Sequence, residues 1–172
     1  ADKSVVVDFA RDRIRILSSK YYAGGMLSVP VSLDFRRLLL ATGEIAGVSV
    51  KAIIDTGAQR TIGNLALRDA LYARASQLES AALVGVQGVT ADVQTAELLA
   101  APRVTLGELR LERVAISYGD LHVFDVWNMR DEPALLLGMD VLGVFDRVVF
   151  DYAASQVHFK PRVSGVSIRK VR

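Results

Sequence analysis

Residues 51–58 read Lys-Ala-Ile-Ile-Asp-Thr-Gly-Ala, and this stretch places the acidic side chain of Asp55 directly at the end of an apolar strand. A carboxylate in such a position loses hydration, so it is a candidate for acid/base chemistry if the fold compensates that loss. Thr56 adds a hydroxyl group that can bond nearby backbone groups, and Gly57 lets the chain turn where a side chain would collide. The same triplet also occurs in ordinary strand-to-turn junctions, in which the Asp caps the turn.

A second informative stretch lies further along the chain, where residues 133–142 read as an apolar strand, a glycine and a short helix. The strand ends with Leu136, Leu137 and Gly138. Taken alone, this pattern is also typical of any buried strand that ends at a glycine. Its significance therefore depends on what else the sequence contains.

A third stretch lies between these two. Residues 83–93 have two runs rich in β-branched residues on either side of Gln87 and Gly88. Two such runs around a short turn containing glycine predict a β-hairpin. An ordinary surface hairpin would have the same pattern.

The three stretches, in this order, resemble the retropepsin-like aspartic proteases of clan AA, and the chain length is similar to that of single-domain, bacterial-type members. The resemblance implies an all-β fold: a closed β-barrel or sandwich, the acid protease fold, with one or two short helices. It also implies an aspartic endopeptidase that hydrolyses a peptide or protein substrate. Asp55 would be the catalytic residue, and no cofactor would be needed.

The resemblance also assigns roles to the residues around Asp55. Thr56 and Gly57 would support the active-site loop, Thr56 by tying it to the loop of a partner and Gly57 by presenting backbone groups to the peptide. Ala58 would line a substrate subsite. The hairpin would be the flap that covers the substrate, with binding residues Gly85, Val86, Gln87, Gly88 and Val89. The residues packed behind the catalytic loop would be Leu136, Leu137 and Gly138.

One departure from the family pattern concerns specificity. Gln59 and Arg60 follow Ala58 at positions where viral members have acidic residues that hold the substrate backbone. The reaction class survives this change, but the peptide specificity of the viral enzymes cannot be transferred to this chain.

The number of Asp-Thr-Gly motifs predicts an assembly. Peptide hydrolysis by this route needs two carboxylates that share one proton, and the sequence has a single Asp-Thr-Gly. Asp55 must therefore meet an equivalent Asp55 across a two-fold axis, which predicts a homodimer whose two carboxylates titrate jointly. Two alternatives remain open: a catalytically silent binding or dimerisation module, and one half of a pseudo-dimer formed with an upstream domain.

Composition indicates one globular domain. The chain has 172 residues, of which 51% are hydrophobic and 23% charged, enough to bury a substantial core. No apolar run is long enough to span a bilayer. The absence of cysteine excludes disulfides, a thiol nucleophile and thiolate metal sites. His122 and His158 fall on separate strand-like segments, so we expect no metal site.

The charge pattern does not favour a nucleic-acid partner. The formal net charge is +2, and much of the excess lies near the C-terminus, in Lys160, Arg162, Arg169, Lys170 and Arg172. No aromatic residues alternate with these charges to stack on bases, so a solvated tail is the expected interpretation. The chain starts at Ala1 without a signal-type segment, which fits a processed product or a trimmed fragment and favours an extracytoplasmic location.

Short strands separated by turn residues dominate the rest of the sequence, as is typical of an all-β sandwich or barrel with minor helices. Residues 122–127 are among the predicted strands. The clearest helix is predicted over residues 64–75, with Asn64 as its N-cap, and a shorter one over residues 139–143.

The two ends of the chain resemble each other. Residues 4–16 and residues 147–159 both contain an apolar strand that ends in Asp and an aromatic residue, then a polar turn and a second strand. Because the family closes its domain with such a hairpin, the first copy resembles the last hairpin of a preceding domain. Two unrelated hairpins are the alternative, since this alternation is generic in strands. The predicted organisation is a hairpin and linker (1–25), a protease domain (26–161) and a basic tail (162–172).

Overall fold

The structure is a computed structural model that describes residues 3–18, 21–34, 38–74, 80–87, 93–162 and 169–170. Gly88 and Val89, at the tip of the predicted flap, lie outside the described residues. The strands are β1 (Ser4–Asp8), β2 (Arg13–Leu17), β3 (Leu27–Pro30), β4 (Ser32–Leu33), β5 (Leu39–Ile45), β6 (Val48–Ile54), β7 (Ile62–Gly63), β8 (Ser80–Gln87), β9 (Val93–Leu106), β10 (Leu109–Tyr118), β11 (Ala134–Leu137), β12 (Phe145–Asp151), β13 (Gln156–Pro161) and β14 (Arg169–Lys170). The helices are α1 (Leu65–Arg74), α2 (His122–Val126) and α3 (Met139–Leu142).

Six of the strands close into a barrel. Following the pairings around it, β6 pairs with β5, β5 with β9, β9 with β10, β10 with β7, β7 with β11, and β11 returns to β6. The pairings of β10 with β7 and of β11 with β6 are parallel, and the other four are antiparallel. Closure leaves none of these six strands as the edge of an open sheet, so their inner faces can be apolar throughout.

A second sheet of five strands lies beside the barrel in the order β2-β1-β12-β13-β3. All of its pairings are antiparallel. The N-terminal hairpin of β1 and β2 therefore joins the same sheet as the hairpin of β12 and β13.

The main hydrophobic core contains residues of both the barrel and this sheet. Phe145 and Phe159 both belong to this core and are fully buried, with ring centroids 4.9 Å apart. Side chains alternate across a strand, so Val6 and Val149 fall on the opposite face of the sheet, in a small separate cluster with Met26. The larger core thus joins one face of the sheet to the barrel.

The structure confirms the all-β acid protease fold and the two helices predicted from the sequence, which are observed as α1 and α3. The strand predicted over residues 122–127 is wrong, because this segment forms helix α2 and the described chain has three helices. Leu121, Phe124 and Trp127 recur every third residue and belong to one apolar cluster. Packing of these three side chains on one face of a helix outweighs the strand propensity of the Val and aromatic residues in this segment.

The C-terminal basic segment contributes one short strand. Arg169 and Lys170 pair with Arg110 and Leu109, the first two residues of β10. Among the helices that the structure describes, none is long and apolar enough to cross a membrane.

Candidate active site

Asp55 follows the last residue of β6. In the parallel pairing of β6 with β11, Ile54 lies opposite Leu137, and the backbone N–H of Asp55 donates to the carbonyl of Leu137 at 3.1 Å. The two stretches that the sequence singled out, around Asp55 and around Leu136 to Gly138, are therefore neighbours in space. Asp55 is therefore the first residue after the buried end of β6, where the chain reaches the surface.

The Asp55 side chain is held by its own turn. Its Oδ1 accepts a hydrogen bond of 2.7 Å from the backbone N–H of Gly57. A Cβ atom placed on Gly57 would lie 3.1 Å from the same oxygen, closer than side chains ordinarily pack. Thr56 and Gly57 are exposed, whereas Asp55 and Ala58 are half-buried. The turn thus presents a carboxylate of fixed orientation to the surface.

Gly138 allows the backbone behind the loop to approach closely. A Cβ atom on Gly138 would lie 2.5 Å from the carbonyl oxygen of Arg60 and 3.0 Å from that of Ala58. Directly after it, the N–H of Met139 donates to the carbonyl of Ala58 at 2.8 Å, and the N–H of Asp140 to that of Gln59 at 3.2 Å. Residues 58–60 therefore rest on the start of α3.

Thr61 and Asp140 close the loop, and the sequence analysis missed both. The backbone N–H of Thr61 donates to Oδ2 of Asp140 at 3.0 Å, and its hydroxyl donates to Oδ1 at 2.7 Å. The same hydroxyl accepts from the N–H of Gly138 at 3.1 Å. Thr61 is 1% exposed, so its hydroxyl needs these partners. A polar residue directly before the buried strand β7 was the available signal.

Asn64 fastens the other end of the loop region. Its Oδ1 accepts from the N–H of Leu67 at 2.8 Å, which confirms the predicted N-cap of α1, and from the N–H of Ala134 at 3.1 Å. Its Nδ2 donates to the carbonyls of Met129, Arg130 and Glu132 at 2.7, 3.3 and 2.7 Å. This buried amide therefore joins α1 to the segment that leads into β11.

Three of the predicted flap residues, Gly85, Val86 and Gln87, lie at the end of β8. β8 pairs antiparallel with β9, with Gly85 opposite Thr95, Val86 opposite Gln94 and Gln87 opposite Val93. The strands of the predicted hairpin are present, and its tip lies outside the described residues.

The contacts that the described chain gives Asp55 come from Leu137 and Gly57 rather than from a second carboxyl group. A cluster of acidic side chains exists elsewhere, around Arg130, which binds Asp120 at 2.7 Å and Asp125 at 3.1 Å. The surface hollows beside that cluster do not include Asp55. In the ranges described, no three His, Asp or Glu side chains are grouped to hold a metal ion.

A family model matches this chain, and so do many solved structures, among them the two that follow. The model described as aspartyl protease matches residues 41–141. A retropepsin-like aspartic protease from Rickettsia conorii matches with a TM-score of 0.50 and 15% identity, over 85% of this chain and 94% of that one. Basic 7S globulin from soybean matches with a TM-score of 0.52 and 14% identity, over 91% of this chain. The match spans 50% of the soybean chain's length. No curated protein sequence matches.

Proposed function

Because this chain belongs to the aspartyl protease family, we propose that it is an aspartic endopeptidase in which Asp55 is one of two catalytic carboxylates. The observation that carries the proposal is the placement of Asp55. Its backbone is fixed to Leu137 and its carboxylate to Gly57, at the surface end of a buried strand. A group held in this way can meet a second carboxylate without rearranging its own loop.

The proposed reaction needs two carboxyl groups and one shared proton. The ionised group takes a proton from a water molecule, whose oxygen forms a bond to the carbonyl carbon of the substrate. The protonated group gives its proton to the carbonyl oxygen, which produces a tetrahedral diol. The diol then collapses: one of its hydroxyl groups gives its proton to the pair, the C–N bond breaks, and the leaving nitrogen takes a proton from the pair. The pair therefore again holds a single proton.

The chain's own residues would position the substrate. Gly57 and Ala58 lie beside the carboxylate and would contact the peptide backbone and one side chain. The flap hairpin would cover it with Gly85, Val86, Gln87, Gly88 and Val89. Gln59 and Arg60 are exposed next to this site, so a cationic group would meet the substrate where viral relatives present acidic residues.

The second carboxylate comes from a second protein domain, since this chain has one Asp-Thr-Gly. In a homodimer it would be Asp55 of a second copy, as the motif count predicts. In a pseudo-dimer it would come from another lobe of the same polypeptide. Both arrangements place the two carboxylates across a two-fold axis, and both give the reaction described above.

The test is cleavage of an unfolded protein at mildly acid pH, by the 172-residue chain and by the polypeptide extended to its natural start. Asp55→Asn should abolish cleavage and binding of the inhibitor pepstatin without unfolding the protein. Asp69→Asn is the matched control, because Asp69 is an exposed carboxylate that binds only the neighbouring Arg68 among its described contacts. Folded wild-type protein that neither cleaves nor binds pepstatin in either form would identify a silent binding module instead.

A further inference from the structure

The chain contains two hairpins that repeat each other in sequence and lie side by side in the five-stranded sheet. The N-terminal hairpin comprises β1 and β2 (residues 4–17), and the closing hairpin comprises β12 and β13 (residues 145–161). Aligned by their Asp-aromatic ends, residue 6 corresponds to residue 149.

The pairing of the two hairpins is symmetric. β1 and β12 run antiparallel with Val6 opposite Val149, so the two corresponding residues face each other. The neighbouring pairs are reciprocal. Val5 lies opposite Phe150, the counterpart of Val7, and Val7 lies opposite Val148, the counterpart of Val5. This is the register that two equivalent hairpins adopt around a two-fold axis through the valine pair. Unrelated strands that merely alternate apolar and polar residues have no reason to adopt it.

The burial of corresponding residues is not symmetric. In the closing hairpin, Val157 and Phe159 are 0% exposed because the barrel covers them. Their counterparts in the N-terminal hairpin are Ile14 and Ile16, which are 72% and 67% exposed. Both pairs lie on the same face of the sheet, since each pairs across its hairpin with residues that contact the main core.

The N-terminal hairpin is nevertheless firmly attached. Asp8, at the end of β1, accepts hydrogen bonds from Nη2 and Nε of Arg147 in β12 at 2.6 and 3.1 Å. The two side chains are 5% and 18% exposed. Burial acts to raise the pKa of Asp8, but Arg147 and Arg11 outweigh it and hold that pKa below its ordinary value. The uncovered isoleucines therefore belong to a fixed surface that continues the covered face of the sheet.

We propose that the N-terminal hairpin is the closing hairpin of a second lobe of the same fold, which precedes this lobe in the polypeptide and supplies the carboxylate opposite Asp55. The two-fold axis through Val6 and Val149 carries the barrel from its place over the closing hairpin to a place over Ile14 and Ile16. The inference rests on the proposed function only for the role of the second carboxylate.

A second copy of the chain does not fit the same surface. The barrel of a second copy is already covered by its own closing hairpin, including its Val157 and Phe159, so it has no open face for Ile14 and Ile16. The proposed preceding lobe does have such a face, because the hairpin that closes it is the N-terminal hairpin of this chain.

The experiment compares two forms of the protein, the 172-residue chain and the polypeptide extended to its natural start, each with Ile14→Asp plus Ile16→Asp. In the extended form the double substitution should lower the urea midpoint and reduce cleavage by about tenfold or more, because it opens the contact that aligns the lobes. In the short form it should leave the midpoint unchanged. Val126→Asp, at an exposed residue of α2, is the matched control and should have no effect in either form.

The masses and activities separate this inference from the proposed function. We expect the short form to have a mass in solution near 18.7 kDa and no activity, and the extended form to be an active monomer. An active homodimer of the short form, equal effects of the double substitution in both forms, or an extended polypeptide without a second lobe would overturn the inference and leave the protease assignment standing. An extended monomer that responds to the double substitution but cleaves nothing would support the lobe and overturn the protease assignment.

Discussion

The hydroxyl of Thr61 donates a 2.7 Å hydrogen bond to Oδ1 of Asp140, and this bond joins the end of the Asp55 loop to the first turn of α3. The loop leaves the barrel at Ile54 and returns at Ile62, so its shape depends on what holds it in between. The carbonyls of Ala58 and Gln59 accept from α3 amides, and Thr61 locks the return. The position of Asp55 is therefore set largely by α3 and β11.

Replacing Asp140 with Ala should weaken this attachment. The carboxylate accepts three hydrogen bonds, two from Thr61 and one from the N–H of Val141. Their loss leaves the buried hydroxyl of Thr61 without its acceptor, and we expect a decrease in the free energy of unfolding of about 1–2 kcal/mol. Urea denaturation measures this, with Asp69→Ala as the exposed control. A midpoint equal to that of the control would show that Asp140 does not hold the loop.

Replacing Gly138 with Ala should be more damaging, since the new methyl group would lie 2.5 Å from the carbonyl oxygen of Arg60. Backbone atoms on both sides cannot move independently of the loop, so we expect destabilisation of about 2 kcal/mol or more and a displaced Asp55. Gly24→Ala is the control, because its new methyl group would meet only the exposed side chain of Tyr22. Equal thermal midpoints for the two variants would contradict the proposed close approach.

Short apolar runs separated by turn residues were sufficient to predict the all-β class, whereas the position of Leu137 behind Asp55 was implied by the family resemblance. Apolar alternation marks strands, and Asp-Thr-Gly and Leu-Leu-Gly mark where two of them end. The contact between Thr61 and Asp140 was not predictable in this way. It joins residues that are distant in the chain, and neither stands in a pattern that identifies its partner.

The segment that forms α2 shows why local propensity failed. Its Val and aromatic residues favour a strand in isolation, but Phe124 and Trp127 pack edge to face with ring centroids 6.4 Å apart, and this contact forms on a helical turn.

The pairing of the two end hairpins was likewise not predictable from local sequence patterns. Sequence revealed their similarity, and only the register showed that they are neighbours.

Asn64→Asp should destabilise the fold although it changes only one group. The amide Nδ2 of Asn64 donates to carbonyls of the segment before β11, including those of Met129 and Glu132 at 2.7 Å. A carboxylate oxygen in its place would face those carbonyl oxygens in a residue that is 2% exposed. We expect a loss of about 3 kcal/mol in the free energy of unfolding.

The measurement is chemical denaturation near neutral pH, because an Asp carboxyl group is ordinarily charged there and its burial is then most costly. Asn128→Asp is the matched control, because it makes the same change at a residue without a role in joining α1 to β11. If the two variants denatured at the same urea concentration, the amide network would not be a determinant of stability.

Stability should fall as the medium becomes acidic, partly through His158. Burial lowers the pKa of this imidazole, although the carboxylates of Asp151 and Glu108 act in the opposite direction. Its Nδ1 lies 3.0 Å from the hydroxyl of Ser28, and its ring stacks on Tyr21. Because the unfolded chain binds the proton more readily than the folded one, this contribution is complete above an unfolded pKa of about 6.5 and is lost as the pH falls toward the lower folded value.

His158→Gln should therefore flatten the dependence of stability on pH in that window. The test compares urea midpoints at about pH 7.5 and about pH 5.5, on either side of the ordinary imidazole pKa. The variant should show a smaller drop than the wild type. His122→Gln is the control, since the His122 side chain is 82% exposed and its replacement should leave the drop unchanged. A drop as large in His158→Gln as in the wild type would place the acid sensitivity elsewhere in the chain.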